Sequence, residues 1–143
     1  MWKTLGLLLL CFASFSWLEA QTSQAKSGAS SKLAHGKYLV EQVGLCGDCH
    51  TPRDDRGQPM KDKALEGAPI GFKPIGQVPI WADKAPPIAG LPGWDNAAAV
   101  KFFTTGIGPN GSPARPPMPP YRFSRQDAEA VVVYLRAVGQ QNK

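Results

Sequence analysis

Side chains that bind metals or form disulfides are scarce in this sequence of 143 residues. It contains three cysteines and two histidines. A small exported fold stapled by disulfides uses more cysteines than this, and a structural zinc site needs four ligands. Apart from a short cluster at residues 46–50, which contains the other histidine and two of the cysteines, His35 is the remaining histidine. The scarcity argues against a disulfide framework and against zinc, and it directs attention to that cluster.

Long hydrophobic runs are also missing. The apolar run at the start extends from Leu5 to Ala13, whereas a membrane-spanning helix needs about 20 apolar residues. It follows a basic start and precedes the small residue Ala20, which is the pattern of a signal peptide over residues 1–20, cleaved after Ala20. We therefore expect export to the periplasm, with an uncleaved membrane anchor as the alternative.

Runs of basic residues, which mark nucleic-acid binding, are absent although the net charge is +5. A moderate positive charge can steer an acidic redox partner, or it can serve solubility alone. After the signal peptide, residues 21–31 are small and polar and predict a flexible tail. Residues 32–140 are sufficient for one domain.

The cluster is Cys46-Gly47-Asp48-Cys49-His50. Signal cleavage would remove Cys11 and leave both remaining cysteines in this motif. C-x-x-C-H is the attachment signature of a c-type haem: the two thiols form thioethers with the porphyrin vinyl groups, and the histidine ligates iron. We predict one covalently bound haem c, with His50 as the proximal ligand. A Cys46–Cys49 disulfide and a zinc site are the alternatives.

A second candidate ligand is Met118, which stands between four prolines in residues 115–121. Proline removes backbone donors and restricts its neighbours, which predicts a rigid, extended loop. Such a loop can fix a soft thioether at a set distance from iron as the distal ligand. The alternatives are a packing role for Met118, or ligation by Met60 from a polar stretch or by His35.

Three helices are predicted from apolar periodicity and end signals. The first runs from about Ser31 to Gly44, and Gly36 in its middle indicates close approach of another helix because glycine is unfavourable there. The others run from Asn96 to about Thr104, and from Ser124 to Gly139. The end signals of the second helix are Asp95 and Gly106. The apolar residues are Leu33, Leu39, Val40 and Val43 in the first helix, and Val131, Tyr134, Leu135 and Val138 in the last.

Residues 51–93 are rich in proline and glycine and predict a long loop. Packing on a haem would explain a loop of this length. A backbone carbonyl of Pro52 or a neighbour is placed to accept the Nδ1–H of His50 and so orient the ring. The candidates for haem contact are Ile70, Phe72, Ile75, Val78, Ile80, Trp81 and Ile88.

These motifs together resemble class I, mitochondrial-type cytochrome c domains. The matching features are Gly36-Lys37-Tyr38, the C-x-x-C-H motif, Met118 in its proline loop, and Val133-Tyr134-Leu135. The stretches Gly93-Trp94-Asp95, Thr105-Gly106 and Pro116-Pro117-Met118-Pro119 are similar to cytochrome domains of bacterial periplasmic dehydrogenase systems. The resemblance implies an all-α fold of about three or four helices and long loops around one haem. It also implies that Gly36 faces an aromatic residue, Tyr134.

The leading functional prediction is a monohaem electron carrier rather than an enzyme. Its iron would cycle between Fe(II) and Fe(III) with His50 and Met118 as axial ligands. The expected partners are a periplasmic dehydrogenase and a terminal oxidase or another cytochrome. One alternative is a fixed haem subunit of a larger dehydrogenase or oxidase. The other is a haem peroxidase or small-ligand sensor with a displaceable distal ligand, for which no acid–base pair is recognisable.

Overall fold

The structure is a computed structural model that describes residues 26–142. The predicted signal peptide, residues 1–20, lies outside the described residues. The chain divides into two units, residues 1–32 and residues 33–143, and the C-x-x-C-H motif belongs to the second. Within residues 26–142, no helix combines the length and the apolar character that a membrane span requires.

The described chain is mostly helical, with four helices and one small sheet, as expected for a small cytochrome-like fold. Strands β1 (Ala68–Pro69) and β2 (Lys84–Ala85) are antiparallel, with Ala68 opposite Ala85. Helix α1 spans residues 26–38 and continues into a π turn at Leu39–Val43. The other helices are α2 at Cys46–His50, α3 at Asn96–Thr105 and α4 at Arg125–Gln141. A 3₁₀ turn lies at Lys61–Lys63.

Helix α1 starts earlier than the sequence predicts. Residues 26–31 are helical, which differs from the irregular tail that the sequence indicates, and residues 21–25 lie outside the described part. Ala29 favours a helix and the neighbouring serines oppose it only weakly. The small polar composition that indicates a tail is therefore compatible with the outer turns of a helix.

The hydrophobic core lies where α4 packs against α3 and the π turn. The predicted apolar face of α4 is confirmed, because Val131, Leu135 and Val138 are buried. Burial of such side chains is the main favourable contribution to folding. The whole buried cluster consists of Leu39, Val40, Leu65, Leu91, Ala99, Phe103, Ala128, Ala130, Val131, Val132, Leu135 and Val138.

The π turn changes the face that the end of the first helix presents. Its backbone bond runs from Gly44 N to Leu39 O at 2.7 Å, which adds one residue to the turn and rotates the residues after it. Leu39 and Val40 are buried, but Val43 and Leu33 are exposed. The predicted stripe is therefore right in its centre and wrong at both ends. Gly44 does end the helix, in a right-handed conformation with φ −82°.

Gly36 lies where α1 and α4 cross. A Cβ atom there would overlap the backbone carbonyl of Ala130 and lie 2.9 Å from the Cβ of Tyr134. The predicted close approach and its partner are confirmed. Two side-chain bonds flank the crossing: His35 Nε2 donates to Asp127 Oδ1 at 2.7 Å, and the Tyr134 hydroxyl donates to Glu41.

The predicted ends of α3 are confirmed. The carboxylate of Asp95 accepts the backbone N–H of Ala98 at 2.7 Å, and Gly106 follows the helix with φ 73°. Both arrangements satisfy backbone groups that a helix end leaves without partners.

The predicted end of α4 at Gly139 is wrong, because the helix continues to Gln141. Glycine is required there for a different reason. A Cβ atom at Gly139 would overlap the backbone of Gly90 and lie 2.9 Å from the carbonyl carbon of Ala89. The loop after β2 therefore passes directly against α4, and it is this contact that excludes a larger residue.

We expect Gly36→Ala to lower the free energy of unfolding by about 1–3 kcal/mol, because overpacking at a helix crossing outweighs the better helix propensity of alanine. Gly28→Ala is the control, since Gly28 is also helical but has nothing within 4 Å of its added Cβ. Denaturant titration of both variants measures the difference. Equal stability of Gly36→Ala and the original protein would contradict the close crossing of α1 and α4.

Candidate functional site

The C-x-x-C-H motif forms helix α2, a single turn that begins directly after Leu45. Leu45 takes a left-handed conformation (φ 48°), which redirects the chain after the π turn. Residues three apart on a helix lie on one side of it, so Cys46 and Cys49 are neighbours on α2. Both are free thiols. Burial raises the pKa of the Cys46 thiol to about 11, so it is protonated at neutral pH.

His50, the last residue of α2, is 6% exposed. Its Nδ1 donates to the carbonyl oxygen of Pro86 at 2.7 Å. A carbonyl oxygen can only accept, so Nδ1 carries the proton and Nε2 carries the lone pair. Burial lowers the pKa of His50, and this outweighs the opposite effect of the Pro86 bond. The imidazole is therefore neutral, fixed in one tautomer, and able to ligate a metal through Nε2.

The carbonyl that orients His50 is not in the region that the sequence indicates. The carbonyl of Pro52 accepts the backbone N–H of Met60 at 2.9 Å instead. The acceptor for His50 is Pro86, at the end of β2. No local pattern could have selected it, because the two residues meet only through the folding of the long loop between them.

Gly67 lies between His50 and the segment that contains Pro86. Its N–H donates to the carbonyl of His50 at 2.7 Å, and its φ of +86° lies in the left-handed region. A Cβ atom at Gly67 would lie 2.7 Å from Pro87 N and 2.9 Å from Ala85 O. The residue thus contacts α2 on one side and the Pro86 segment on the other, and only glycine fits between them.

The loop that carries Met118 is a turn rather than the predicted extended segment. The backbone N–H of Met118 donates to Arg115 O at 3.1 Å, and the Pro116–Pro117 peptide bond is cis. Met118 is half-buried. Proline does restrict the loop as expected, but the restriction favours a turn, since the donor at Met118 is free to bond backward.

The upstream end of this loop is joined to the segment before β2. The guanidinium of Arg115 donates to Ile80 O at 3.0 Å and to Trp81 O at 2.7 Å. In return, the Ala82 N–H donates to Pro116 O at 2.8 Å. The same stretch leads through β2 to Pro86, so the Met118 loop and the His50 acceptor are parts of one connected framework.

The downstream end of the loop is joined to Gly44, the residue that ends the π turn just before the C-x-x-C-H helix. The Tyr121 hydroxyl donates to the carbonyl of Gly44 at 2.6 Å. Burial, together with the nearby thiols of Cys46 and Cys49, raises the pKa of Tyr121 to about 12, so the phenol stays protonated. The loop of Met118 is therefore tied to elements that carry or orient every residue of the motif.

Trp81, one of the candidates for haem contact in the middle loop, is half-buried. Its Nε1 is buried and has no hydrogen-bond partner among residues 26–142. Phe72 packs edge-to-face on Trp81, with ring centroids 5.8 Å apart. Phe72, Ile75 and Ile80 are themselves exposed. The remaining candidates for haem contact, Ile70, Val78 and Ile88, are half-buried.

The other candidate ligands, His35 and Met60, lie outside the Met118 loop. His35 is on α1, where its Nε2 is bonded to Asp127. Met60 is half-buried in the loop that follows α2. No group of three or more His, Cys, Asp or Glu side chains suited to a metal ion occurs within the described part of the chain, which counts against the zinc alternative.

Comparison with known proteins gives relatives but no match to a family model. The chain is 32% identical over 113 residues to the fructose dehydrogenase cytochrome subunit of Gluconobacter japonicus, covering 72% of this chain and 21% of that protein. It is 37% identical over 84 residues to the cytochrome c subunits of the quinone alcohol dehydrogenases of Gluconacetobacter polyoxogenes and Komagataeibacter europaeus. Those matches cover 55% of this chain and 17% of each relative.

The chain therefore spans about one fifth of the length of these relatives. All three are named as cytochrome subunits of dehydrogenases, and two of them as cytochrome c subunits, which supports a c-type cytochrome domain here. The narrower assignment to class I stays a prediction.

Gly67→Ala should destabilise the protein by about 1–3 kcal/mol more than Gly57→Ala, measured by denaturant unfolding. Both glycines have φ near the same value (+86° and +77°), so the backbone strain of an alanine is matched. Only at Gly67 does the added Cβ meet other atoms, whereas Gly57 has nothing within 4 Å. Similar losses in the two variants would show that the Pro86 contact contributes no stability.

Proposed function

We propose that this chain is a monohaem c-type cytochrome that transfers electrons in the periplasm. The observation that carries the proposal is His50, which ends a C-x-x-C-H helix with Nδ1 bonded to Pro86 and Nε2 left as the free nitrogen. Histidines that ligate metals in proteins usually donate the N–H of their other ring nitrogen to an acceptor such as a backbone carbonyl. His50 is held in this way.

The residues present fit a haem. The buried N–H of Trp81 lacks an acceptor within residues 26–142, and an unsatisfied buried donor costs about 1–3 kcal/mol. The propionate carboxylates of a haem are acceptors that would satisfy it. Cys46 and Cys49 are free for thioether bonds. When bound, haem c supplies one-electron chemistry between Fe(II) and Fe(III).

In this proposal each residue has one role. Cys46 and Cys49 hold the group covalently, His50 is the proximal iron ligand, and Met118 is the distal one. If His50 and Met118 both held the iron, no position would remain there for a substrate, which favours a carrier over a peroxidase or sensor. A soft thioether raises the reduction potential because it favours Fe(II).

The names of the relatives support a dehydrogenase as one partner, and the acceptor is our proposal. Those proteins are named as subunits of fructose and alcohol dehydrogenases, so we propose a dehydrogenase as the electron donor and a terminal oxidase or another cytochrome as the acceptor. The net charge of +5 favours encounter with an acidic surface.

Met118→Ala tests the ligand assignment in the exported, haem-loaded protein. We expect loss of the weak red-edge absorption band of sulfur–Fe(III) ligation, a high-spin component, and a lower reduction potential. Met60→Ala is the control and should leave all three unchanged. If Met118→Ala keeps the band and the potential, Met118 is not the ligand. A high-spin original protein that binds cyanide quickly would instead support a sensor or peroxidase.

A permanently docked subunit is the second candidate, and exposed apolar side chains favour it. Phe72 and Ile80 are more than half exposed and Ile75 is fully exposed. They lie on the loop that Arg115 joins to the Met118 segment. Exposed apolar side chains on one loop can contribute to a protein interface, so we propose this loop as the place where a dehydrogenase would dock.

Purification of the full chain from its native host at high salt distinguishes a carrier from a fixed subunit. A fixed subunit should co-elute with a dehydrogenase, and Ile75→Ser should lower the bound fraction by roughly tenfold as apolar contact is lost. Val43→Ser is the control, since Val43 is exposed on the π turn. Elution of the original protein as a free monomer would favour the mobile carrier.

A further inference from the structure

Hydrogen bonds anchor the Met118 loop unequally on its two sides. On the upstream side, Ala114 N donates to Gly106 O at 3.1 Å, and Arg115 makes the two bonds to the segment before β2. On the downstream side, Phe123 N donates to Phe103 O at 3.1 Å, already close to the start of α4. Between Met118 and Phe123, the bond that leaves the loop is the one from Tyr121 to Gly44.

This bond joins two parts of the proposed haem site directly. Tyr121 is three residues after Met118, and Gly44 is two residues before Cys46. Within the described chain, no other hydrogen bond connects residues 114–122 with residues 44–50. On the downstream side, this phenol hydroxyl therefore makes the direct hydrogen bond between the Met118 loop and the residues that precede the C-x-x-C-H helix.

We propose that Tyr121 is a positioning residue that keeps Met118 on the haem iron by tying its loop to Gly44, two residues before the C-x-x-C-H helix. This inference rests on the proposed function. A thioether is a weak ligand, so the free energy of holding its loop in place decides how often it is bound. A hydrogen bond that forms only when the loop holds Met118 at the iron shifts the equilibrium between bound and unbound Met118 toward the bound state.

Neighbouring residues restrict the position of the Tyr121 side chain and its hydroxyl. The ring of Tyr121 stacks on Phe123, with centroids 5.0 Å apart and planes 10° from parallel. Gly44 leaves room for the hydroxyl, because a Cβ there would lie 3.4 Å from the Tyr121 oxygen and 3.2 Å from Cys46 Sγ. The bond is short, at 2.6 Å, and half-buried, so water competes with it weakly.

The test is displacement of Met118 by added imidazole in the exported, haem-loaded protein, followed through the sulfur–Fe(III) band. In Tyr121→Phe, half-displacement should need roughly three- to tenfold less imidazole, the change expected for loss of one hydrogen bond. Tyr134→Phe is the matched control. It also deletes one bonded phenol hydroxyl, but between the π turn and α4 rather than at the Met118 loop, and its displacement curve should stay unchanged.

Hydrogen exchange supplies a second measurement that does not depend on iron. The Met118 amide, which donates to Arg115 O, should exchange several-fold faster in Tyr121→Phe than in Tyr134→Phe. Unchanged displacement and exchange in Tyr121→Phe would overturn the inference. Equal changes in both variants would also overturn it, since they would reflect general loss of stability.

These outcomes separate the inference from the proposed function. A sulfur band in the original protein, with no effect of Tyr121→Phe, leaves the His/Met cytochrome intact and removes only the positioning role. Absence of the band from the original protein removes Met118 from iron and overturns both.

Discussion

The bond from His50 Nδ1 to the carbonyl of Pro86 is the constraint on which the candidate site depends. It fixes the tautomer and rotation of a nearly buried imidazole, so that Nε2 is the nitrogen available to a metal. Several elements in the middle of the chain place Pro86 next to His50. The antiparallel pair of β1 and β2 brings residues 84–86 back to α2, and Gly67 admits Pro86 because it has no side chain.

The same framework explains why so much of the chain is irregular. A loop rich in proline and glycine forms few repeating backbone bonds, yet here it is held by specific long-range contacts. Arg115 and Tyr121 join the Met118 segment to parts of the chain that are distant in sequence. Restraint of the Met118 segment therefore arises from these long-range hydrogen bonds, whereas regular structure is concentrated in α4 and the elements packed on it.

Two glycines show how far a sequence pattern can be interpreted. The sequence predicts that Gly36 faces another helix because glycine in mid-helix costs stability, and it does lie on Ala130 and Tyr134. The sequence also predicts that Gly139 ends α4, but this glycine lies inside the helix against Gly90. Both positions exclude a Cβ for the same steric reason. Near the end of a helix, however, that signal is indistinguishable from a stop signal, because either favours glycine.

The sequence by itself determined the features that depend on residues close along the chain: the C-x-x-C-H spacing, the Asp95 cap and Gly106 stop of α3, and the buried face of α4. The tertiary structure decided the features that depend on distant residues: Pro86 as the partner of His50, Tyr121 as the partner of Gly44, and the π turn that turns Val43 outward. Local motifs are set by covalent spacing and backbone sterics. A carbonyl far along the chain carries no side-chain signature, so only the folded path can select it.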